Sequence, residues 1–460
     1  MKRIFFLLSA LAALTIAGCK QDPILEPENP DGPDGPEVPE IPEGPGIRNA
    51  EEFIAFAAAV NAGESTAEWE NEEGWINLLA DIDFEGVTDF EPVGHATAPW
   101  TSWNPIAVGG YTFKGKFDGN AHHIKNLKLT CSETVEGRHF GLFGYVDKGA
   151  IVQNFVIEEN CSLTVTASVS LSAGLIAGVV YDGQIRDITS YAPMTYRGGA
   201  TDYFHMALIG GLYSLDNGCI VDSVHNHGKI TVENSANLNA GATGIHAAGI
   251  VGFANAPNNS EKRNVISSCN NYGEMVSQAG RQAGIVAAAN CCTSIIDCEN
   301  RGNQLNTMPQ NDGGRLGNIC CFTTKGSSIS GCKNYGNLVS TTAGRCGGIV
   351  SLPNEGEYTG CENYGEIITD SQYRGVFFGY VNSTAAWKNC KASGKVGKYN
   401  NGTYEYDIYS EAEKVKYLGK DGSSGKATFT DITYDIATGD TPINPDPSLD
   451  VDADSRILYI

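Results

Sequence analysis

Cys269-Asn270-Asn271-Tyr272-Gly273 returns as Cys298-Glu299-Asn300-Arg301-Gly302, Cys332-Lys333-Asn334-Tyr335-Gly336 and Cys361-Glu362-Asn363-Tyr364-Gly365. A weaker copy, Cys390-Lys391-Ala392-Ser393-Gly394, follows, and the successive glycines are 29, 34, 29 and 29 residues apart. Self-similarity at this period marks a stacked repeat architecture. Upstream, Val224-His225-Asn226-His227-Gly228 and Ile188-Thr189-Ser190-Tyr191-Ala192 fit the same frame. A second phrase sits between copies: Gly141-Leu142-Phe143-Gly144, Gly174-Leu175-Ile176-Ala177-Gly178, Gly249-Ile250-Val251-Gly252, Gly284-Ile285-Val286 and Gly348-Ile349-Val350. Each unit therefore offers short apolar runs between Gly, Asn and Ser, the length of strands and too short for helices.

These features predict an all-β fold, a right-handed parallel β-helix in which each coil lays its strands on the previous one at a rise of about 4.8 Å. The Leu-x-x-Leu-x-Leu frame of leucine-rich repeats is absent.

Aligned copies form columns. The first is Ile188, Val224, Cys269, Cys298, Cys332, Cys361 and Cys390. Because it accepts Ile and Val, it asks for a small buried apolar group, and free Cys serves as one. A linear ladder does not converge four ligands on zinc, and side chains in register point the same way, which disfavours bridging. The next column, Ser190, Asn226, Asn271, Asn300, Asn334 and Asn363, reads as structural: Asn suits turns and its amides can bond from rung to rung. The glycines beside it are expected to supply backbone angles that other residues resist. Between them run Tyr191, His227, Tyr272, Arg301, Tyr335, Tyr364 and Ser393, expected to face outward. One reading is a ridge on which sugars stack, which makes Tyr272, Tyr335 and Tyr364 candidate ligand contacts. The preferred one is an aromatic ladder that stabilises neighbouring rungs.

At the N-terminus, Lys2 and Arg3 precede an apolar run over residues 4–15, too short to span a bilayer. Ile16-Ala17-Gly18-Cys19 resembles a bacterial lipobox. The resemblance implies a signal peptide over 1–18 and lipid attachment at Cys19, hence a protein held at the bacterial outer membrane. Lys20-Gln21-Asp22 is similar to the surface-export signal of Bacteroidetes lipoproteins. Residues 19–46 read as an acidic stalk. Prolines at 27, 30, 33, 36, 39, 42 and 45 match the three-residue turn of polyproline II.

Asn49 is placed to cap a short helix with Glu51 and Glu52 in its first turn and Phe53, Phe56, Ala57 and Val60 on one face. Such a helix would close the open end of the solenoid. The series Leu79-Ala80-Asp81-Ile82-Asp83-Phe84, Trp103-Asn104-Pro105-Ile106, Phe113-Lys114-Gly115-Lys116-Phe117-Asp118-Gly119-Asn120, Ile124-Lys125-Asn126-Leu127 and Gly141-Leu142-Phe143-Gly144 resembles the opening of GLUG-motif repeat proteins, common among Bacteroidetes surface lipoproteins. The match covers 47–157 and continues loosely to 381. It implies a parallel β-helix at the cell surface and brings no catalytic residues with it.

The boundaries expected are a cap and first GLUG-like unit over 47–130, repeats over 131–400, a C-terminal β cap over 401–439 with strands near 404–408, 414–418 and 427–436, and a disordered tail over 440–460. Asp450-x-Asp452-x-Asp454 in that tail lacks the glycine and twelfth ligand of a calcium loop.

The formal net charge of −23 argues against nucleic acid as a partner, and against polyanions unless a local basic patch overrides it. With 14 cysteines and Cys19 lipidated, an odd number remains, and the pairs Cys291-Cys292 and Cys320-Cys321 are ambiguous. No catalytic constellation, metal site or cofactor motif is assembled: Asp81, Asp83 and Asp118 are candidate acids by type alone, and His225 and His227 lack a third ligand. Trp100 and Trp103 flank a polar loop. Trp103 reads as packing, whereas Trp100 stays open as a sugar platform. The expected function is non-enzymatic adhesion to, or recognition of, a glycan or host surface protein. The alternatives are a polysaccharide-degrading β-helix enzyme, with acids or a cation-supported base on adjacent rungs, and a structural component of a surface assembly.

Overall fold

The computed structural model describes residues 43–435 except 102–103, 200–202, 234–243, 258–262, 309–313, 342–343, 382, 401–402, 410–412 and 423–425, and leaves the side chains of 100, 101, 104 and 400 undescribed. Cys19, the stalk up to residue 42, Trp103 and the tail lie outside these residues.

Among the described residues three long sheets run along the chain, one of 18 strands and two of 10, with three two-stranded pairs beside them. A coil visits them in turn. Gln184–Ser190 lies in the first, Met194–Tyr196 in the second and Phe204–Tyr213 in the third, after which Ile220–Asn226 stacks in parallel on the starting strand. This is a parallel β-helix. Its antiparallel exceptions among the described residues are short, and include the hairpins Trp100–Thr101 with Asn104–Pro105 and Val396–Asn400 with Thr403–Tyr406. No described helix is long and apolar enough to cross a membrane.

A helix over Ala50–Ala62 closes the N-terminal end. The Asn49 side chain accepts from the Glu52 amide at 2.9 Å, and Gly63 ends the helix in the left-handed region at φ 71°. Glycine favours that angle, and a Cβ here would stand 2.3 Å from the Tyr111 ring. Phe53 and Phe56 drive into a ring cluster with Phe84, Phe113 and Phe117, so the cap is sealed by aromatic burial. At the other end the first sheet outlasts the visible repeat: Ala427–Thr430 and Thr433–Tyr434 stack in parallel on the rung before them. Lys414–Leu418 is a short helix where a strand was expected.

The cysteine column is buried as expected, with Cys269, Cys298 and Cys332 fully covered and Cys361 and Cys390 at most 1% exposed. Every described cysteine is free, including Cys291, Cys292, Cys320 and Cys321. Burial pushes the Cys219, Cys321 and Cys346 thiols up to about 12. Because the column holds Ile188 and Val224 in earlier rungs, Cys332→Val is expected to shift stability by less than about 1.5 kcal/mol. Chemical denaturation checks this, and a loss above about 3 kcal/mol would mean that the thiol does more than fill space.

Immediately before each member of that column stands a residue in the left-handed region: Asp187 (φ 51°), Ser223 (55°), Ser268 (53°), Asp297 (50°), Gly331 (64°), Gly360 (65°) and Asn389 (54°). From Ser268 onward this ladder of kinks breaks the first-sheet strand in two, as in Asn264–Ser267 and Asn270–Asn271. The asparagine column itself is extended and fully buried. Asn226 donates Nδ2 to Asn271 Oδ1 at 2.8 Å, Asn271 to Asn300 at 2.9 Å, Asn300 to Asn334 at 2.9 Å and Asn334 to Asn363 at 2.7 Å. Each amide also donates to the carbonyl of the glycine two residues on, as Asn300 does to Gly302 at 3.1 Å. Those glycines are not in the left-handed region. Their requirement is space, since a Cβ on Gly302 would stand 2.0 Å from the Gly273 carbonyl oxygen.

The asparagines also connect the two repeating phrases. A Cβ at Gly249, Gly284 or Gly348 would stand 2.5, 2.2 or 2.5 Å from Oδ1 of Asn271, Asn300 or Asn363. The amide ladder of the first sheet thus rests against the Gly-Ile-Val segment, where the third-sheet strand bends.

Candidate functional site: a cationic and aromatic corner on the third sheet

The bend divides the third-sheet strand into two arms, such as Arg281–Ala283 and Ala289–Asn290. Core-facing residues at the bend, including Ile285 and Val286, are fully buried. The residues on the opposite side of the arms meet one another across the corner. Phe253 stacks on His205 at 4.8 Å, and the Phe322 ring centroid lies 4.9 Å from the Arg281 guanidinium and 5.0 Å from that of Arg315. Arg345 lies 5.7 Å from the Tyr373 ring and 5.6 Å from that of Tyr380. The corner is therefore re-entrant. Its floor is an apolar cluster separate from the main core, containing Tyr145, Tyr213, Phe253, Cys321, Phe322 and Leu352, with Tyr380 partly exposed beside them.

One register position supplies the other wall. Ser172, His205, His246, Arg281, Arg315 and Arg345 are direct partners on successive rungs. Its chemistry changes along the axis. Burial holds His205 well below the usual imidazole range, so its ring is neutral and packs flat on His246 at 4.7 Å. His246 Nε2 accepts from the Arg281 guanidinium. From Arg281 onward the position is cationic. Arg281, Arg315 and Arg345 are half-buried, and an aromatic ring lies against each guanidinium, an attractive arrangement. Nε of Arg315 and of Arg345 has no hydrogen-bond partner among the described residues, and neither side chain makes an ion pair there. Burial lowers the Arg315 pKa; Cys321 opposes the shift and Arg345 adds to it, and no carboxylate enters. Like charges directly opposite in a sheet destabilise it, yet in a chain of net charge −23 no described acid pairs with Arg315 or Arg345.

The residues singled out from sequence lie elsewhere. Tyr272 is 38% exposed, while Tyr335 and Tyr364 are half-buried. Their faces are engaged by rung neighbours. Tyr272 stacks on His227 at 4.3 Å, Tyr335 on Tyr364 at 5.1 Å with Arg301 over its other face, and Lys391 lies over Tyr364. Both faces of Tyr335 and of Tyr364 and one face of Tyr272 are thus occupied, which suits a ladder better than a sugar platform. Trp100 starts the hairpin at the N-terminal end of the corner, where the Tyr145 hydroxyl donates to the Pro105 carbonyl at 2.9 Å; its side chain is undescribed. Asp118 is tied into its turn, accepting from the Asn120 amide at 2.7 Å, from Gln153 at 2.7 Å and from Asn154 at 3.0 Å. Asp81 pairs with Lys125 at 2.7 Å. Its carboxyl sits at about 2, because bonds from Lys125, His123 and His122 outweigh burial. It is a poor proton donor near neutrality. His227 is part of the aromatic ladder, and no group of three or more His, Cys, Asp or Glu among the described residues could hold a metal ion.

The corner residues did carry a sequence signal. His246, Arg281, Arg315 and Arg345 each stand three residues before the Gly-Ile-Val position (Gly249, Gly284, Asn318, Gly348). Aligning the second phrase as closely as the first reveals the basic column, though not what faces it.

No family model matches the chain, and no curated protein matches its sequence. Among solved structures, similarity is found to a provisionally assigned immunoglobulin A1 protease from Bacteroides ovatus, with 16% identity, a TM-score of 0.37 and coverage of 84% of this chain and 83% of that one. Agreement this loose transfers nothing to the present chain. Its class is defined by its own topology: a parallel β-helix with a capped N-terminal end and a cationic, aromatic corner along one flank.

Proposed function

We propose that this is a lipid-anchored cell-surface protein of the GLUG-repeat kind that recognises a glycan along the corner of its third sheet and does not cleave it. The anchor follows from the lipobox-like Ile16-Ala17-Gly18-Cys19, and the display from the proline-spaced stalk and the GLUG-like series over 47–157. The observation that carries the reading is the corner itself: three guanidiniums on consecutive rungs beside aromatic rings, two of them without an acidic partner among the described residues. Apolar rings with a few convergent polar groups are what ligand sites use.

A degrading enzyme is the second reading, because Arg281 and His246 place a cation beside an imidazole. Against it, His246 is 2% exposed and its Nε2 already accepts from Arg281, and the candidate acids Asp81 and Asp118 are engaged in structural bonds. A panel of host and dietary glycans, scored together for retention and for new chain ends, separates the readings. Retention without cleavage is expected, and Tyr380→Ala should weaken it about five- to a hundredfold, as loss of an aromatic contact does. Cleavage of any polymer would replace recognition with catalysis, and no retention at all would end the glycan reading.

A further inference from the structure

We infer that the ligand of the corner is an acidic glycan, a linear polymer bearing carboxylates on successive sugars and lying parallel to the helix axis. This rests on the recognition reading above and names its ligand class.

The first support is register. Arg281 is the direct partner of Arg315, and Arg315 of Arg345. Cations thus repeat along the axis at about 4.8 Å per rung, a spacing on the scale of one sugar ring. The second is charge. Arg315 and Arg345 lack an ion pair among the described residues, and Nε of each is buried there without a hydrogen-bond partner. Stacked like charges oppose the sheet that holds them, and an incoming anion relieves that opposition. The third is the shape of the donor. Phe322 lies against Arg315, and Tyr373 and Tyr380 against Arg345. A ring on the flat face and a buried Nε leave the in-plane Nη–H groups, a pair that can meet a carboxylate with two parallel bonds. The same rings offer apolar surface to the faces of sugars.

An acidic peptide fits less well. The third-sheet backbone is bonded to the rungs before and after it, as in Arg315 N to Gly280 O at 2.9 Å and Arg345 N to Gly314 O at 2.9 Å. A peptide laid along this flank meets no free strand edge to pair with, whereas sugar hydroxyls remain hydrated.

The test uses the purified full-length protein in detergent and five immobilised polymers: polygalacturonate, the same polymer with its carboxyls methyl-esterified, neutral dextran, dextran sulfate and polyglutamate. Polygalacturonate should be retained, esterification should abolish retention, and added salt should weaken it. Arg315→Gln and Arg345→Gln should each weaken binding at least tenfold with the melting temperature kept. Arg345→Lys, which keeps the charge and loses the fork, should fall between. If a variant unfolds, free against esterified polymer on the unaltered protein decides. Equal retention of free and esterified polymer, or of dextran, overturns the acidic ligand and leaves glycan recognition standing. Equal retention of dextran sulfate overturns the carboxylate assignment. Polyglutamate retained in place of polygalacturonate overturns both in favour of a protein partner, and no retention of any polymer overturns both outright.

Discussion

Gly302→Ala is expected to cost the β-helix about 4–5 kcal/mol, at the extreme of single substitutions. The added Cβ would stand 2.0 Å from the Gly273 carbonyl oxygen, 2.8 Å from its carbon and 2.8 Å from Asn271 Nδ2. These are backbone and ladder atoms, not the ends of flexible chains. The rung above cannot lift away, because the Gly302 amide is held to Asn271 O at 3.1 Å and the Asn271 amide group donates to Asn300 Oδ1 at 2.9 Å. Gly109→Ala is the matched control. A Cβ there meets nothing within 4 Å, so its effect should stay within about 0.5 kcal/mol. Urea unfolding of the two variants decides. A loss below about 1 kcal/mol for Gly302→Ala would mean that the coils slide apart easily, and the stacked architecture would lose its main steric argument.

Asn300→Asp is expected to cost about 3–5 kcal/mol at neutral pH, the range for an uncompensated buried charge. Asn300 Nδ2 donates to Gly302 O at 3.1 Å and to Asn334 Oδ1 at 2.9 Å, while its Oδ1 accepts from Asn271 at 2.9 Å. The substitution turns a two-way donor into an acceptor that faces two oxygens in a fully buried site. Burial and those oxygens both favour the neutral acid, so the folded pKa lies above the unfolded value of about 3.9. The unfolded chain then binds fewer protons than the folded one between the two values. Stability must therefore fall as pH rises through that window and return as pH drops below about 4. Denaturant midpoints measured from pH 3 to pH 8 test the sign, and a variant indifferent to pH would remove the ladder from the core. The same substitution disturbs the bend, since Asn300 Oδ1 rests against Gly284. Ligand retention at the corner should weaken with it.

Much of this was legible in the chain because a solenoid makes each residue the neighbour of its own counterpart one period away. Such contacts appear in sequence as columns. The Cys column read as buried is buried, the Asn column read as amide-bonded is bonded in that way, and Asn49 caps the helix that closes the end. The glycine column was legible as a requirement but not as a reason, because crowding by the Gly273 carbonyl and a left-handed angle both exclude other residues. The kinks at Ser268, Asp297, Gly331, Gly360 and Asn389 form no column in the sequence, since four residue types share the angle.

By itself, then, the sequence determined the period, the stacking and the identity of each column. Tertiary structure alone decided which columns face each other. That Tyr335 gives its faces to Tyr364 and Arg301 depends on ring orientation between rungs. That Phe322 stands against Arg281 and Arg315 depends on the bend between two arms of a coil. The physical reason is directional: repetition along the axis is written as periodicity, but convergence across a coil is set by a bend angle, and no spacing in the chain records it.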